Sequence, residues 1–367
     1  MSKAAELANL IGNINAGGGG TNKNAIINGA MNVAQRGTSS TGIGASGGFF
    51  TCDRWAIDVS GTDGRLTATQ DSSAPSGFAN SLKLDCTTAD TSIASGEFLT
   101  IQHRIEGQNV QSFAKGTSDA KPFAVSFYVK GNASATYVAE LYDNDNTRQI
   151  SKTFNVTTDW TRVELTYPAD TTGAFDDDNA LSLYLLIWLH GGSNYTSGTL
   201  NSSSWASVTT ANRAVGISSF FDSTGRTFFI TGVQLEVGQN PTEFDHEPFD
   251  RTLEKCHRYY EIIKPTGVAN SVFGFGGYYN SSLVFLDFKF KHKRTTSPSL
   301  EQTTVTDGYL METNGAADYW NSFTGMLRTS HTMAQVYVDS NVSGTAGMAG
   351  IIWTNGSSTF LAVEDEL

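Results

Sequence analysis

The 367-residue chain is short of charge, cysteine, proline and long apolar runs, and each shortage removes a class of function. Basic residues are outnumbered, 24 Lys and Arg against 36 Asp and Glu, for a net charge of −12. An acidic chain repels phosphate backbones, so general nucleic-acid binding is excluded. One basic run, residues 289–294, alternates with Phe288 and Phe290 and reads as the wet face of a strand. The three cysteines, Cys52, Cys86 and Cys256, lie far apart without metal-ligand spacing, which reads as reduced structural thiols. Nothing in the spacing supports a Cys52–Cys86 bridge. No stretch approaches the roughly 18 apolar residues of a membrane span, so membrane insertion is not expected. The N-terminus lacks the apolar core of a signal peptide.

Catalytic signatures are missing too. The sequence holds no HExxH, GxSxG, phosphate-binding loop or Cys–His cluster. Its carboxylates gather where turns are expected. Asp143 and Asp145 alternate with asparagines as at a hairpin tip, and Asp176, Asp177 and Asp178 read as a solvated loop, since burying all three would be costly. The chain is therefore read as non-catalytic.

What is abundant is Gly, 37 residues, together with Ser, Thr, Asn and 11% aromatics. This composition suits short strands joined by many turns. Residues 1–16 carry the one convincing helical pattern. Ala4, Leu7, Ile11 and Ile14 recur at spacings of three, four and three, a seam of about two heptads. So short a helix is marginal alone and needs partners. Gly17 to Gly20 follow as a hinge. Residues 1–21 thus form an anchoring or oligomerisation segment with Leu7, Ile11 and Ile14 as its contacts.

Residues 22–250 change to period-two alternation. FTCDRWAIDV, EFLTIQHRI, PFAVSFYVKG and LSLYLLIWLH are examples, separated by clusters such as DNDN and GGSN. LSLYLLIWLH is apolar on both faces, which predicts a central strand buried on both sides. Residues 251–367 hold a second β-rich stretch, entered through a short amphipathic turn around Leu253 and Cys256. The expected fold is all-β: two antiparallel, jelly-roll-like sandwiches preceded by a short N-terminal helix.

Several segments resemble a recurrent layout of bacteriophage tail-fibre and minor structural proteins: AIINGAMNVAQRGTS, CDRWAI, FAVSFYVKG and ITGVQLEVGQNPTEFDHEPFDRTLEKCHRYYE. The first domain is also similar to jelly-roll carbohydrate-binding modules. The likeness rests on Asn24-Ala25-Ile26-Ile27-Asn28-Gly29 at its opening and residues 230–238 at its close. The resemblance implies a homotrimeric virion surface protein, located on tail or capsid. It would be held to other virion proteins by its N-terminus and would face host carbohydrate. It leaves open a capsid decoration protein or head fibre, and a polysaccharide-degrading tailspike. It implies no cofactor beyond a structural calcium, for which Asp53 and Glu236 are the nominees.

A sugar site in a β-sandwich needs aromatic rings for C–H faces and amides or carboxylates for hydroxyls. The long polar loop 191–207 offers Tyr195 and Trp205, which either anchor the loop or meet a ligand or subunit. The last domain offers Tyr278, Tyr279, Tyr319 and Trp320 in a Gly-, Ser- and Asn-rich setting, the chemistry of a binding tip or of a trimer interface. It is the better candidate for contact, with residues 22–250 as scaffold. The heptad seam carries a direct test. Light scattering of the full chain is expected to give a trimer, and deletion of residues 1–16 is expected to abolish it; a monomeric full chain contradicts the seam.

Overall fold

The computed structural model describes Lys3 and residues 23–367, so the seam residues Leu7, Ile11 and Ile14 lie outside the described residues. The described chain divides into two units, one running to Thr252 and including Leu367, the other Leu253–Glu366. Both are built from antiparallel strands, as the alternating sequence requires.

The first unit contains β1 (Ser39–Ile43), β2 (Gly48–Phe49), β3 (Trp55–Ser60), β4 (Arg65–Asp71), β5 (Ser81–Thr88), β6 (Phe98–Glu106) and β7 (Phe123–Gly131). It continues with β8 (Ala135–Asp143), β9 (Arg148–Val156), β10 (Thr161–Tyr167), β11 (Leu181–Gly191), the single helical turn α1 (Ser193–Thr196), β12 (Ala206–Ser207) and β13 (Thr227–Val237). They form a six-stranded sheet, β1-β4-β5-β13-β7-β10, and a seven-stranded sheet, β12-β9-β8-β11-β6-β3-β2. One core cluster draws on both sheets. Leu84, Val125, Phe127, Ile230 and Leu235 come from the first, and Ile57, Ile101, Leu141, Leu185 and Ile187 from the second. This is a β-sandwich with alternate residues of each strand turned inward. β11 is the fourth of the seven strands, consistent with its two apolar faces.

The opening motif is a structural tie. Asn24 Oδ1 accepts the amides of Ile26 and Leu235, both at 3.0 Å, and its Nδ2 donates to the Val233 carbonyl. Asn28 sits at φ 58° and its side chain bridges Val33 and the Asp53 carbonyl. Trp55 Nε1 donates to the Asn28 carbonyl at 3.1 Å. Gly29 accepts the Val233 amide at 2.9 Å, at a point where β13 bulges between Thr231 and Gln234. A Cβ on Gly29 would lie 2.1 Å from the Val233 carbonyl oxygen. Only glycine allows that backbone approach.

All three cysteines are buried, and Cys52 and Cys86 carry free thiols. Burial pushes the Cys52 thiol up to about 12 and Cys86 up to about 11, so both stay protonated. The hairpin tip after β8 departs from the expected solvated form at one residue. Asp143 is fully buried and paired with Lys115 at 2.5 Å, which also meets Asp170 at 3.2 Å. Asp176, Asp177 and Asp178 are exposed.

The division between the units falls within the helix α2 (Phe249–His257). The strands of the second unit are β14 (Tyr260–Lys264), β15 (Val272–Asn280), β16 (Leu283–Lys289), β17 (Ser299–Gln302), β18 (Tyr309–Thr313), β19 (Ala316–Trp320), β20 (Gly325–Leu327), β21 (Met333–Val338), β22 (Ala349–Thr354) and β23 (Leu361–Glu364). A three-stranded sheet, β14-β23-β17, and a seven-stranded sheet, β19-β18-β22-β15-β16-β21-β20, share a core that includes Leu286, Phe288, Met311, Val336, Ile352 and Val363. The basic run is only partly a wet strand face. Lys289 and Lys291 are exposed, but Lys293 is buried, bonded to the His257 carbonyl and to Glu261 Oε2 at 3.1 Å.

Replacing Gly29 by alanine is expected to lower the unfolding free energy by about 2–3 kcal/mol, because two backbones must separate to admit the methyl group. Equilibrium denaturation measures this, and a loss below about 0.5 kcal/mol contradicts the close-approach account.

Candidate functional site

The outer face of the seven-stranded sheet in the first unit is where aromatic and polar groups converge. Register sets three cross-strand rows. Asp58, Thr100, Trp188 and Val138 form one, Gln102, Leu186 and Glu140 the next, and Arg104, Tyr184 and Tyr142 the third. Trp188 and Leu186 would leave a large apolar area in water, and the segment after β11 folds back to cover it. Tyr195, Leu200, Ala214 and Ile217 pack with Val138, Leu186 and Trp188 in a second small core.

Arg213 ties that covering segment down. Its Nε and Nη2 each donate to the buried Glu140 carboxylate at 2.9 Å, a two-pronged contact, and Trp188 Nε1 donates to the same carboxylate at 2.6 Å. The guanidinium lies 4.9 Å from the Tyr142 ring centre and 5.0 Å from that of Trp188. Burial pushes the Glu140 carboxyl above its usual range, and Arg213 opposes that rise.

The cover stops short of β3 and β6, leaving a cleft of about 100 Å³. Its floor is Asp58, Thr100 and Gln102, and its walls include Phe98, Trp188, Tyr195 and Arg213. Gln102 Nε2 donates to Asp58 Oδ2 at 2.9 Å and to Thr100 Oγ1 at 3.0 Å, while Gln102 Oε1 accepts from the Arg104 guanidinium at 3.2 Å. The amide is therefore held in one orientation. Tyr195 stands 5.1 Å from Trp188 and 5.6 Å from Phe98, ring centre to ring centre. The cleft thus places a fixed carboxylate and amide beside aromatic rings, in a space sized for one edge of a ligand with apolar C–H faces and hydroxyls.

Of the residues nominated from sequence, Tyr195 lies in this cleft. Trp205 does not reach a ligand. It is buried, its Nε1 donates to the Pro168 carbonyl at 2.9 Å, and its ring packs on Phe123. Tyr278 and Trp320 are likewise core residues of the second unit, with Tyr278 Oη donating to Asp318 at 2.6 Å. All three rings fill the interior, where no glycan can stack: Trp205 takes the anchoring alternative, and Tyr278 and Trp320 are corrections. Tyr279 and Tyr319 are exposed, at 72% and 40%.

The calcium nominees are also corrected, because the chain's own donors occupy them. Asp53 accepts the Gln35 amide at 2.8 Å and the Gln35 side chain at 2.5 Å. Glu236 accepts the Thr242 amide at 2.7 Å, the Thr242 hydroxyl and the Gln234 side chain. Among the described residues, no group of three or more His, Cys, Asp or Glu is placed to hold a metal ion.

Sequence reading did not single out Asp58, Thr100, Gln102 and Arg213. It also missed a Ser–His–Glu arrangement. His190 Nδ1 lies 2.8 Å from Ser219 Oγ, and its Nε2 lies 3.1 Å from Glu97 Oε2. A nucleophilic serine must face substrate. Here Ser219 Oγ accepts the Phe221 amide at 3.1 Å to cap a helical turn, and Glu97 accepts the Ala94 amide at 2.7 Å. His190 is fully buried, and burial lowers its pKa. The trio fastens the end of β11 to its neighbours.

No family model matches the chain, and no curated protein matches it. Among solved structures, it is similar to a CBM4 structure, at 14% identity over 58% of this chain and 99% of that one, with a TM-score of 0.32. It is similar to the enzymatically active domain of bacteriophage CBA120 tailspike protein 4, at 14% identity, 59% and 21% coverage and a TM-score of 0.32. A family 11 carbohydrate-binding module of a Clostridium thermocellum cellulosomal cellulase gives 11% identity, 50% and 88% coverage and a TM-score of 0.27. Likeness at these scores carries no argument about function.

The Arg213–Glu140 tie predicts a paired mutational result. Arg213→Met is expected to cost about 3–5 kcal/mol, since it strands a buried carboxylate. The double variant with Glu140→Met is expected to recover most of that loss. Denaturation of the four proteins of the cycle measures the coupling; additive losses contradict it.

Proposed function

We propose that this chain is a non-catalytic bacteriophage virion appendage that binds host-surface carbohydrate through the cleft of its first unit. The observation that carries the binding half is the array of Asp58, Thr100 and Gln102 held in place in one cleft with Tyr195 and Phe98. A preorganised amide and carboxylate meet hydroxyls without first ordering themselves, so less binding energy is spent on freezing side chains. The aromatic wall supplies a surface for the C–H face of a sugar ring. The virion half is supported by the resemblance of residues 25–39, 52–57 and 230–261 to tail-fibre and minor structural proteins. In this reading the N-terminal seam assembles three copies and attaches them to another virion protein.

Glycan-array screening of the full chain, followed by calorimetry on the strongest ligand, tests the binding half. Asp58→Asn and Tyr195→Ala are each expected to weaken that ligand at least about tenfold, or about 1.4 kcal/mol. Absence of glycan binding by the full chain, or affinities unchanged in both variants, overturns the assignment of the cleft. Gold-labelled antibody on intact particles tests the virion half, with label expected on tail or capsid.

A further inference from the structure

A second candidate site lies on the outer face of the seven-stranded sheet in the second unit. Its register brings Gly277, Phe285 and Tyr337 into one cross-strand row, Phe275 beside Ile351, and Asp287 beside Gln335. Two of the rings stand well into solvent, Phe275 at 74% exposure and Tyr279 at 72%. Tyr279 meets Phe285 edge to face at 5.7 Å, and the Arg328 guanidinium lies 5.8 Å from the Phe285 ring centre. Gly277, between Phe275 and Tyr279 on this face, leaves the floor between the rings bare, and the result is an open groove of about 410 Å³.

At one end of the groove the polar groups are an acidic and an amide side chain. Gln335 Nε2 donates to Asp287 Oδ1 at 3.4 Å, and Arg328 donates to Gln335 Oε1, which orients the amide. The volume falls within the range of roughly 300–1,000 Å³ usual for small-ligand sites. Exposed rings flanking a glycine floor give a flat apolar surface, and the carboxylate at its end accepts hydrogen bonds from hydroxyls. Charge selects among hydroxylated ligands. Asp287 is the groove's ionised lining group and the Arg328 guanidinium beside Gln335 balances it, so the groove offers no net positive charge to hold phosphate- or carboxylate-bearing polymers, and its fit is to neutral sugars.

We propose that this groove is a second carbohydrate-binding site, specific for neutral glycans and independent of the first unit's cleft. Its ligand stacks on Phe275 and Tyr279 and hydrogen-bonds to Asp287 and Gln335.

The test uses the full chain on an array of neutral, sialylated and phosphorylated oligosaccharides, with calorimetry on each hit. Phe275→Ala, Tyr279→Ala and Gln335→Ala are compared with Tyr195→Ala, each checked for an unchanged melting temperature and for mass by light scattering. At least one neutral glycan is expected to weaken tenfold or more in the groove variants and to stay within twofold in Tyr195→Ala. Loss confined to Tyr195→Ala overturns the groove while leaving the first cleft standing. Groove variants that weaken only anionic glycans overturn the stated specificity. A change in mass on Phe275→Ala or Tyr279→Ala overturns the site by marking the face as an interface between copies of this chain.

Discussion

Strand β11 has no face it can leave to water. Leu183, Leu185, Ile187 and Leu189 enter the sandwich core, while Leu186 and Trp188 on the opposite side join a second apolar cluster. Exposing those two large side chains would forfeit several kcal/mol of burial. The sheet therefore needs a cover, and the segment between β11 and β13 supplies it. A long loop rich in Ser, Asn and Gly has little apolar surface of its own, so a few groups hold it: Tyr195, Ile217, and above all Arg213 on Glu140. The cleft exists because that cover is local. It closes over Trp188 and ends before Asp58 and Gln102, so the boundary between dry and wet sheet surface is also where aromatic rings meet fixed polar groups.

The other constraint of the first unit is the tie between its opening segment and β13. Asn24, Asn28 and Gly29 spend their polar groups on Val233, Leu235, Val33 and Asp53. Asn-Gly is a turn signal in any sequence, yet here its residues also close the sandwich at a bulge. Glu236 and Asp53 belong to the same fabric, each saturated by neighbouring N–H and O–H donors. Residues that look like a ligand-binding signature in the sequence thus act as fastenings that hold the opening segment against β13. Their spacing reflects the geometry of backbone approach.

The all-β architecture was legible because alternation is local: LSLYLLIWLH and FAVSFYVKG each declare two faces within ten residues. The site was less legible because a face becomes a site only through neighbours distant in sequence. In EFLTIQHRI the residues Thr100, Gln102 and Arg104 do share one side, but nothing in the sequence shows Asp58 lying across from Thr100 on β3. Trp205 and Tyr195 sit in the same polar loop and read alike. One sinks onto Phe123 and the other lines the cleft, a difference decided by which part of the sheet each ring lands on. Asp143 looked solvated within its own turn because Lys115, 28 positions away, is what makes its burial tolerable.

The two aromatic surfaces differ in how they would bind. In the first unit, Gln102 is held by three neighbours and Trp188 by Glu140, so little is left to order when a ligand arrives. Tight selection of hydroxyl geometry follows from such rigidity, because a buried polar group left unpaired is penalised. In the second unit, Phe275 and Tyr279 are open to water, and the polar end rests on the contact of Asp287 and Gln335. Stacking on exposed rings is tolerant of linkage and of sugar identity. Each such contact is weak, so a tolerant site gains from repetition, since linked copies of a site engage a dense surface with far greater avidity than one. A selective cleft and a tolerant groove on one chain would then divide recognition between identity and adhesion.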